Sequence, residues 1–552
     1  MRMNTRSPAE ITIVPLGGLG AIGMNCLAIE QADGILVIDC GISFPQEDLG
    51  IDTYHPLFRY LEEHRARVAG VFLTHGHEDH VGALPYLLRR MALPVWGPPH
   101  ALAVARRRLE DRGLDPDQHR LVTAAPGSHY AVGPFDVEPI RVTHSIVDAT
   151  ALAIRTACGI VVHTGDFKFD ENPPDGEKTD EARLRQLAEQ GVRLLLSDST
   201  NVDACVPPGS ESDVGAALEE IVRAERGRVV IGMFASNVLR LKMIGEFSRR
   251  LGRRILLLGR SMRVSAELAH RIGRLAWPSD LLVGPDQAAG LLPGRLLVLA
   301  GGTQAEPESA LRKLASRTHP GLSLTPGDAV VFSSRVIPGN EPRVLAMMGD
   351  FLRQGITVRS WTTDPRVHVS GHAHREEQVR MIRLVRPRSF IPLHGTRHHL
   401  ARHAVLARDC SVPEVLVLEN GNVGLVDQRG LSLGGNVPAG RVATWNGAEL
   451  AESVLQERRS LARGGSLHVA LVVDAAGRLV SGPVICGRGV ADGEQDPDAF
   501  RSVAAEVARA CARADDGADD ATLRETARLA ARQAIFAQTG RRPVTLVSVT
   551  RL

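Results

Sequence analysis

His75-Gly76-His77-Glu78-Asp79-His80 packs three imidazoles and two carboxylates into six residues. The apolar run at 71–74 before it reads as a buried strand, and the stretch at 81–90 after it reads as a helix. So polar a hexapeptide at a strand end is suited to holding cations. His75 and His77 stand at alternate positions of an extended turn, point the same way, and can share one metal ion. Asp79 and His80, one step further on, face a second position.

Composition bounds what surrounds this turn. A chain of 552 residues exceeds one ordinary core, so two to four domains are expected. An apolar share of 44% with 23% charged residues is that of a soluble globular protein. The net charge of +2 leaves any nucleic-acid binding to a local patch. The seven cysteines are odd in number, scattered and without a C-x-x-C pair, which fits a reducing compartment. Residues 1–10 are polar and no run approaches the length of a membrane span, so a cytoplasmic protein with no membrane partner is expected.

The strand-like run at 11–16 enters Gly17-Gly18-Leu19-Gly20-Ala21-Ile22-Gly23, which could pass for a dinucleotide fingerprint. Two short apolar runs at 25–30 and 35–39 follow around a turn, so a strand hairpin stands where a nucleotide-binding unit needs a helix. A helix is expected at 56–63. Strands first and strand–helix alternation afterwards suit an αββα sandwich. Further on, a strand at 135–143 delivers His144, a strand at 160–163 delivers Asp166, and a strand at 194–196 ends in Ser197-Asp198-Ser199. Asp166 is the natural bridge between two ions, because a carboxylate can give one oxygen to each.

The H-x-H-x-D-H turn resembles that of the metallo-β-lactamase superfamily, which implies a dinuclear hydrolase. Asp198 at a strand end, a long insertion and late histidines are similar to the β-CASP nucleases of that superfamily. Phe234-Ala235-Ser236-Asn237, Gly302-Thr303-Gln304-Ala305, Ser333-Ser334-Arg335, Ser370-Gly371-His372-Ala373 and Pro392-Leu393-His394-Gly395 together resemble the ribonuclease J family. The similarity runs from about residue 11 to the C-terminus. It departs at Ala305, where glycine is usual, at His374, and at Thr396-Arg397, where an acidic and then an aromatic residue are common.

The resemblance implies an α/β fold: an αββα metallo-β-lactamase sandwich with an inserted β-CASP α/β domain and a small α+β C-terminal domain. The expected parts are 1–203 and 357–437 for the sandwich, 204–356 for the insert, 438–446 for a linker and 447–552 for an assembly domain. Strands at 229–233, 254–258, 296–299 and 329–332 are expected to lie parallel in the insert, with helices such as 213–226 between them. In the last part, strands are expected at 467–473, 478–484 and 543–549, helices at 499–513 and 523–538, and a solvated acidic turn at 515–520.

For the site, the resemblance implies that His75, His77 and His144 hold one zinc ion, that Asp79, His80 and His394 hold the other, and that Asp166 bridges them. Manganese or magnesium are the alternative supporting ions. Asp79, Asp166, Asp198 and His372 form the implied catalytic set, with His372 relieving charge on the leaving oxygen and Asp198 orienting it. Glu78 is left as a supporting residue. Ser236, Asn237, Ser333, Ser334, Ser370, Gly371 and His372 are the implied phosphate contacts. The implied activity is 5′-to-3′ trimming of 5′-monophosphorylated single-stranded RNA, with internal cuts, in RNA processing and decay. Implied partners are a second copy of the chain, as dimer or tetramer through the C-terminal domain, and other RNA-decay enzymes. Competing readings keep the metal site but exchange the substrate for DNA or a small ester, or make the chain an idle RNA-binding scaffold.

Overall fold

The strand Ile11–Gly17 is buried at every position, as a strand covered on both faces must be. It pairs antiparallel with Cys26–Gln31, which pairs antiparallel with Gly34–Ile38, so the expected hairpin forms and no nucleotide-binding helix intervenes. This computed structural model describes residues 10–31, 33–45, 47, 49–206, 209–337, 339–491, 497–513 and 518–552. The polar start at 1–9 and the first part of the expected acidic turn, 515–517, lie outside the described residues.

Gly34–Ile38 continues in parallel to Val68–Phe72, the strand that delivers the histidine-rich turn. These strands belong to an eight-stranded sheet running from Leu431–Asn436 at one edge to Leu121–Thr123 at the other. A seven-stranded sheet faces it, in the order Glu414–Val415, Ser389–Leu393, Val192–Asp198, Gly159–His163, Thr150–Thr156, Phe135–Arg141, Tyr130–Val132. The period-two alternation of side chains sorts the core into layers. Ile11 and Ile13 meet Val137, Leu152, Leu194, Leu196 and Ile391 of the second sheet. Val14 and Leu16, on the opposite face, pack with Leu61, Leu84, Leu87 and Leu109 of the outer helices. Ala151, Val162, Leu195 and Phe390 of the second sheet pack against Leu184, Leu187, Met381 and Ile382 of helices on its own outer side. The result is the αββα sandwich.

Two expected helices are divided or shortened. The helix expected at 81–90 starts only at Leu84 and runs to Arg90, with a separate turn of helix, Glu78–Val81, before it, because Pro85 has no N–H to give and its ring would meet the carbonyl four residues back. The stretch at 56–63 keeps only Arg59–Glu63, since Pro56 closes a strand, Thr53–Pro56. The strand Thr150–Thr156 and the helix Glu181–Gln190 were not anticipated.

Val192–Asp198 and Ser389–Leu393 are parallel neighbours in register. Everything between them in sequence is inserted between two adjacent strands. The insertion builds its own five-stranded sheet in the order Arg254–Leu258, Leu296–Ala300, Val229–Gly232, Ala329–Phe332, Thr357–Ser360, parallel throughout. Its first helix, Glu211–Ala224, starts on a Ser210 capping box. Within the insert, Arg240 and Glu211 form an ion pair whose side chains are each only 1% exposed.

Residues 442–552, with the described part of 47–52, form a second compact unit. Its central strand Ser466–Val473 pairs antiparallel with Leu479–Arg488 and parallel with Val544–Arg551. A parallel return needs a crossover, and the helices Pro497–Ala512 and Asp520–Thr539 supply it. Leu467, Val469 and Leu471 pack against Val503, Val507, Ala527 and Ile535 of those helices. The helix Glu452–Gly464 was not anticipated. Among the described residues, no helix is long and apolar enough to cross a membrane.

Candidate metal centre

His75, His77, His144 and Asp166 bring one ligand atom each within 4.8 Å of one another, although 91 residues of chain separate the first from the last. His75 Nε2 lies 3.1 Å from His77 Nδ1, and His144 Nε2 lies 3.2 Å from the same atom. Asp166 Oδ2 is 3.7 Å from His75 Nε2 and 3.8 Å from His144 Nε2. The same carboxylate joins a second group: Oδ2 is 3.3 Å from His80 Nε2, and Oδ1 is 2.5 Å from His394 Nδ1. A third group adds His372 and Asp198 to Asp166.

The donor set fits a metal on four counts. The outward nitrogens of the rings are tied down: His80 Nδ1 donates to Asp39 Oδ2 at 2.8 Å, His144 Nδ1 donates to the Gly371 carbonyl at 2.6 Å, and His75 Nδ1 lies 3.0 Å from Thr74 Oγ1. Carboxylates and carbonyls only accept, so in the neutral, ligating rings of His80 and His144 the proton sits on Nδ1 and Nε2 faces inward. Burial opposes charge on His80, but Asp166, Asp39 and Asp79 outweigh it and raise that ring well above the usual imidazole range, so a metal there displaces a proton. Burial drives His75 and His144 well below the usual imidazole range and His77 to about 4, which keeps these rings neutral, as ligands must be. The observed nitrogen spacings are also close to those of ligands about 2.1 Å from a tetrahedral ion, roughly 3.4 Å apart. Finally, Asp166 Oδ1 and His394 Nδ1 are buried without a directed hydrogen bond, two acceptor-capable atoms facing a common space.

Charge completes the arrangement. Burial would raise the pKa of Asp166, but the imidazoles of His80, His394 and His372 outweigh it and hold the carboxyl well below its usual range. Burial likewise opposes charge on His372, yet Asp198 foremost, then Asp166, lift it to about 9. Asp198 Oδ2 sits 2.8 Å from His372 Nδ1, while its other oxygen accepts from Thr200 N at 2.9 Å and Thr200 Oγ1 at 2.6 Å. His372 therefore stands beside the cluster as a cation at neutral pH.

Several expected residues are placed differently. Asp79 does not converge with His80 and His394: its Oδ2 is 3.7 Å from His80 Nε2 and its side chain is 37% exposed. Glu78 faces away and forms a bidentate pair with Arg108, at 2.9 and 3.0 Å from Nε; Arg108 reaches Asp111, which also holds Arg260 of the insert at 3.1 Å. Asn237 and Ser333 are enclosed, and their side-chain atoms are spent within the protein. Asn237 caps the helix Val238–Arg250 and donates to Glu211, while the Ser333 hydroxyl donates to the Val367 carbonyl. Gly371 commits its carbonyl to His144, and a Cβ there would meet Ser145 Oγ at 2.5 Å. Ser370 Oγ accepts from Asn201 and from the backbone of His372. Ser334 is buried and Ser236 half-buried. The variant position His374 caps the helix Arg375–Val385 through Glu377, and Thr396 begins the helix Arg397–Asp409.

Asp39 is a site residue that sequence reading left as a mere strand end. It adopts a left-handed backbone, φ 60°, and its carboxylate accepts from Thr74 N, Thr74 Oγ1 and His80 Nδ1. The turn Asp39-Cys40-Gly41 at the end of a buried strand was the available signal. Gly41 follows for a packing reason: a Cβ there would lie 1.6 Å from the Asp79 carbonyl. Gly41→Ala must push the 75–80 turn outward, so metal affinity is expected to fall on the order of 10–100-fold, the cost usual for a lost supporting contact. Equilibrium dialysis against zinc checks this, and an unchanged affinity refutes the packing argument.

The fold and the site together define a class, the metallo-β-lactamase type of metallohydrolase carrying a β-CASP insert. Family models agree along the chain: the metallo-beta-lactamase superfamily over residues 19–232, the ribonuclease J beta-CASP domain over 226–351, the Zn-dependent metallo-hydrolase RNA specificity domain over 366–413, and the ribonuclease J C-terminal domain over 453–552. Ribonuclease J of Helicobacter pylori (strain ATCC 700392 / 26695) is 36% identical over 478 residues, 86% of this chain and 69% of its own. Ribonuclease J of Mycobacterium tuberculosis (strain ATCC 25618 / H37Rv) is 36% identical over 504 residues, 90% of this chain and 89% of its own. The chain belongs to the ribonuclease J family. A crystal structure of a protein of unknown function from Enterococcus faecalis V583 shares the fold with a TM-score of 0.54 at 17% identity, covering 75% of this chain and 99% of that one.

Proposed function

We propose that this chain is a two-metal ribonuclease that trims 5′-monophosphorylated RNA from its 5′ end and also cuts internally. The coarse part, a metal-dependent ribonuclease, rests on the family and its RNA specificity domain. The finer part rests on one observation: a single buried carboxylate, Asp166, serves two groups of histidines while a charged His372 stands 3.8 Å from it.

His75, His77 and His144 would hold one ion and His80, His394 and Asp79 the other, with Asp166 between them. When bound, such ions lower the pKa of water and neutralise the phosphodiester. Zinc suits the nitrogen-and-oxygen donor set, and manganese suits it as well. His372, kept cationic by Asp198, presents a proton to the leaving 3′-oxygen. Asp39, Thr74 and the Gly371 carbonyl keep the rings in one tautomer and orientation. Ser236, Ser334 and Ser370 remain as hydroxyl contacts for a terminal phosphate, while Asn237 and Ser333 shape that pocket from behind.

The three parts are proposed as sandwich, insert and assembly domain, with two of the expected boundaries moved. Thr357–Ser360 is the edge strand of the insert's sheet and so belongs to the insert rather than to the sandwich, and the last unit begins at Val442 rather than at 447. In the last of these, Val484 and Leu546 are exposed on the sheet face turned away from its helices, which supports a homo-oligomer.

One RNA prepared with a 5′-triphosphate, a monophosphate or a hydroxyl, digested and sized from both ends, tests activity, polarity and end selection together. Monophosphorylated RNA is expected to be shortened fastest from its 5′ end. RNA left intact while single-stranded DNA or a generic phosphodiester is turned over would overturn the reading.

A further inference from the structure

We propose that Asn25 is a positioning residue of the second metal position, the residue that holds Asp79 ready as a ligand and sets that position's affinity apart from the first. The inference rests on the two-metal reading above. Asn25 is 4% exposed and stitched into the site by its backbone: its N–H donates to the Asp79 carbonyl at 2.8 Å, and its carbonyl accepts from Gly41 N at 2.9 Å. Its side-chain amide fills the gap between the two ligands that the histidine-rich turn offers the second ion. Nδ2 donates to Asp79 Oδ2 at 3.2 Å and lies 2.8 Å from His80 Nε2.

The tautomer of His80 gives that second contact its meaning. In the neutral, ligating ring, with Nδ1 donating to Asp39, Nε2 is bare, and the Asn25 N–H then points at the lone pair that the ring directs into the site. The amide therefore stands in two relations to an incoming ion. It competes for His80, and it anchors Asp79, the expected ligand that stands apart from the converging set. The amide has two N–H groups, so it can release His80 while keeping Asp79. Asn25 Oδ1 is buried with no hydrogen-bond partner, so no bond to that oxygen holds the amide in this orientation. The orientation is set by the two metal-site groups that Nδ2 faces.

Relative strength decides which relation dominates. A hydrogen bond to a charged carboxylate is roughly twice as strong as one between neutral groups. Anchoring Asp79, whose side chain is more than a third exposed, thus outweighs competition for His80. Loss of the amide weakens the second position. The first position draws on His75, His77, His144 and Asp166, none of which the Asn25 amide touches, and is unaffected.

The test uses the full chain stripped of metal and titrated with cobalt(II), followed by its visible absorption, for the unsubstituted protein, Asn25→Leu, Asn25→Ala, Asp79→Ala and the Asp79→Ala/Asn25→Ala double variant. Asn25→Leu keeps the side-chain volume, and each variant is compared below its own melting temperature. The first equivalent is expected to bind unchanged in both Asn25 variants. The second is expected to weaken on the order of 10–100-fold with an altered absorption band, the scale of a lost outer-shell partner. The double variant is expected to bind the second ion no more weakly than Asp79→Ala alone, because Asn25 strengthens that position only through Asp79. Second-site affinity equal to that of the unsubstituted protein in both Asn25 variants overturns the inference, as does an additive loss in the double variant. Fewer than two ions on the unsubstituted protein is a separate outcome and overturns the two-metal reading itself.

Discussion

Asp166→Ala is expected to lower RNA cleavage on the order of 10³-fold or more, since on the two-metal reading proposed above it removes the group shared by both metal positions. RNA binding is expected to persist, because the serine and backbone contacts proposed for phosphate lie on other segments. Asp166 lies within 3.8 Å of nitrogens from His75, His80, His144, His372 and His394. Without its charge those five imidazoles lose the one carboxylate that all of them face, while His80 keeps Asp39 and His372 keeps Asp198. His77→Ala, which empties one position only, should also abolish most cleavage. Single-turnover cleavage, filter binding and elemental analysis on the same preparations read all three quantities. Cleavage within tenfold of the unsubstituted enzyme in both variants would end the mechanism proposed here.

The second large effect concerns stability and lies in the insert. Arg240→Leu is expected to destabilise the insert by about 3–5 kcal/mol, the usual cost of stranding one member of a buried ion pair. Arg240 Nη2 reaches Glu211 at 2.8 and 3.0 Å, and its Nη1 donates to the Ser333 carbonyl at 2.5 Å. Removing the guanidinium leaves Glu211 as an unpaired buried anion and frees the Ser333 turn. Replacing both partners, Arg240→Leu with Glu211→Leu, should recover much of the loss, since no buried charge remains. Denaturant midpoints of the three proteins measure this. A single variant losing under about 1 kcal/mol would mean that water reaches Glu211 and that the pair is not truly buried.

What was legible in the sequence follows the range of the interactions. The histidine-rich turn could be read because its ligands are neighbours in sequence. His144, Asp166 and Asp198 could be read because each ends a short buried strand. The partner that orients His144 could not: Gly371 meets it across 227 residues. The pairing of Asp198 with His372, 174 residues apart, came only from the family resemblance. Asp39 and His394 both take left-handed backbones that no local pattern announces. Ala305 is the reverse case. Its φ of 55° explains why glycine is usual there, a departure visible in sequence whose reason is visible only in structure. His374 and Thr396 looked like changes in the site and are instead the residues on which two helices begin. The phosphate contacts were the least legible, since a buried serine that bonds a carbonyl and an exposed one that awaits a ligand look alike in sequence.

The insertion between Val192–Asp198 and Ser389–Leu393 has a consequence for the order of events during synthesis. These strands are adjacent in the sheet, yet the second leaves the ribosome only after the whole intervening domain has been made. A growing chain that already carries His75 through Asp198 still lacks the imidazole of His394 and the proton of His372. On the reading proposed above, it is inert toward the message from which it is being translated. Activity switches on once, late, when a single strand slots in beside its neighbour.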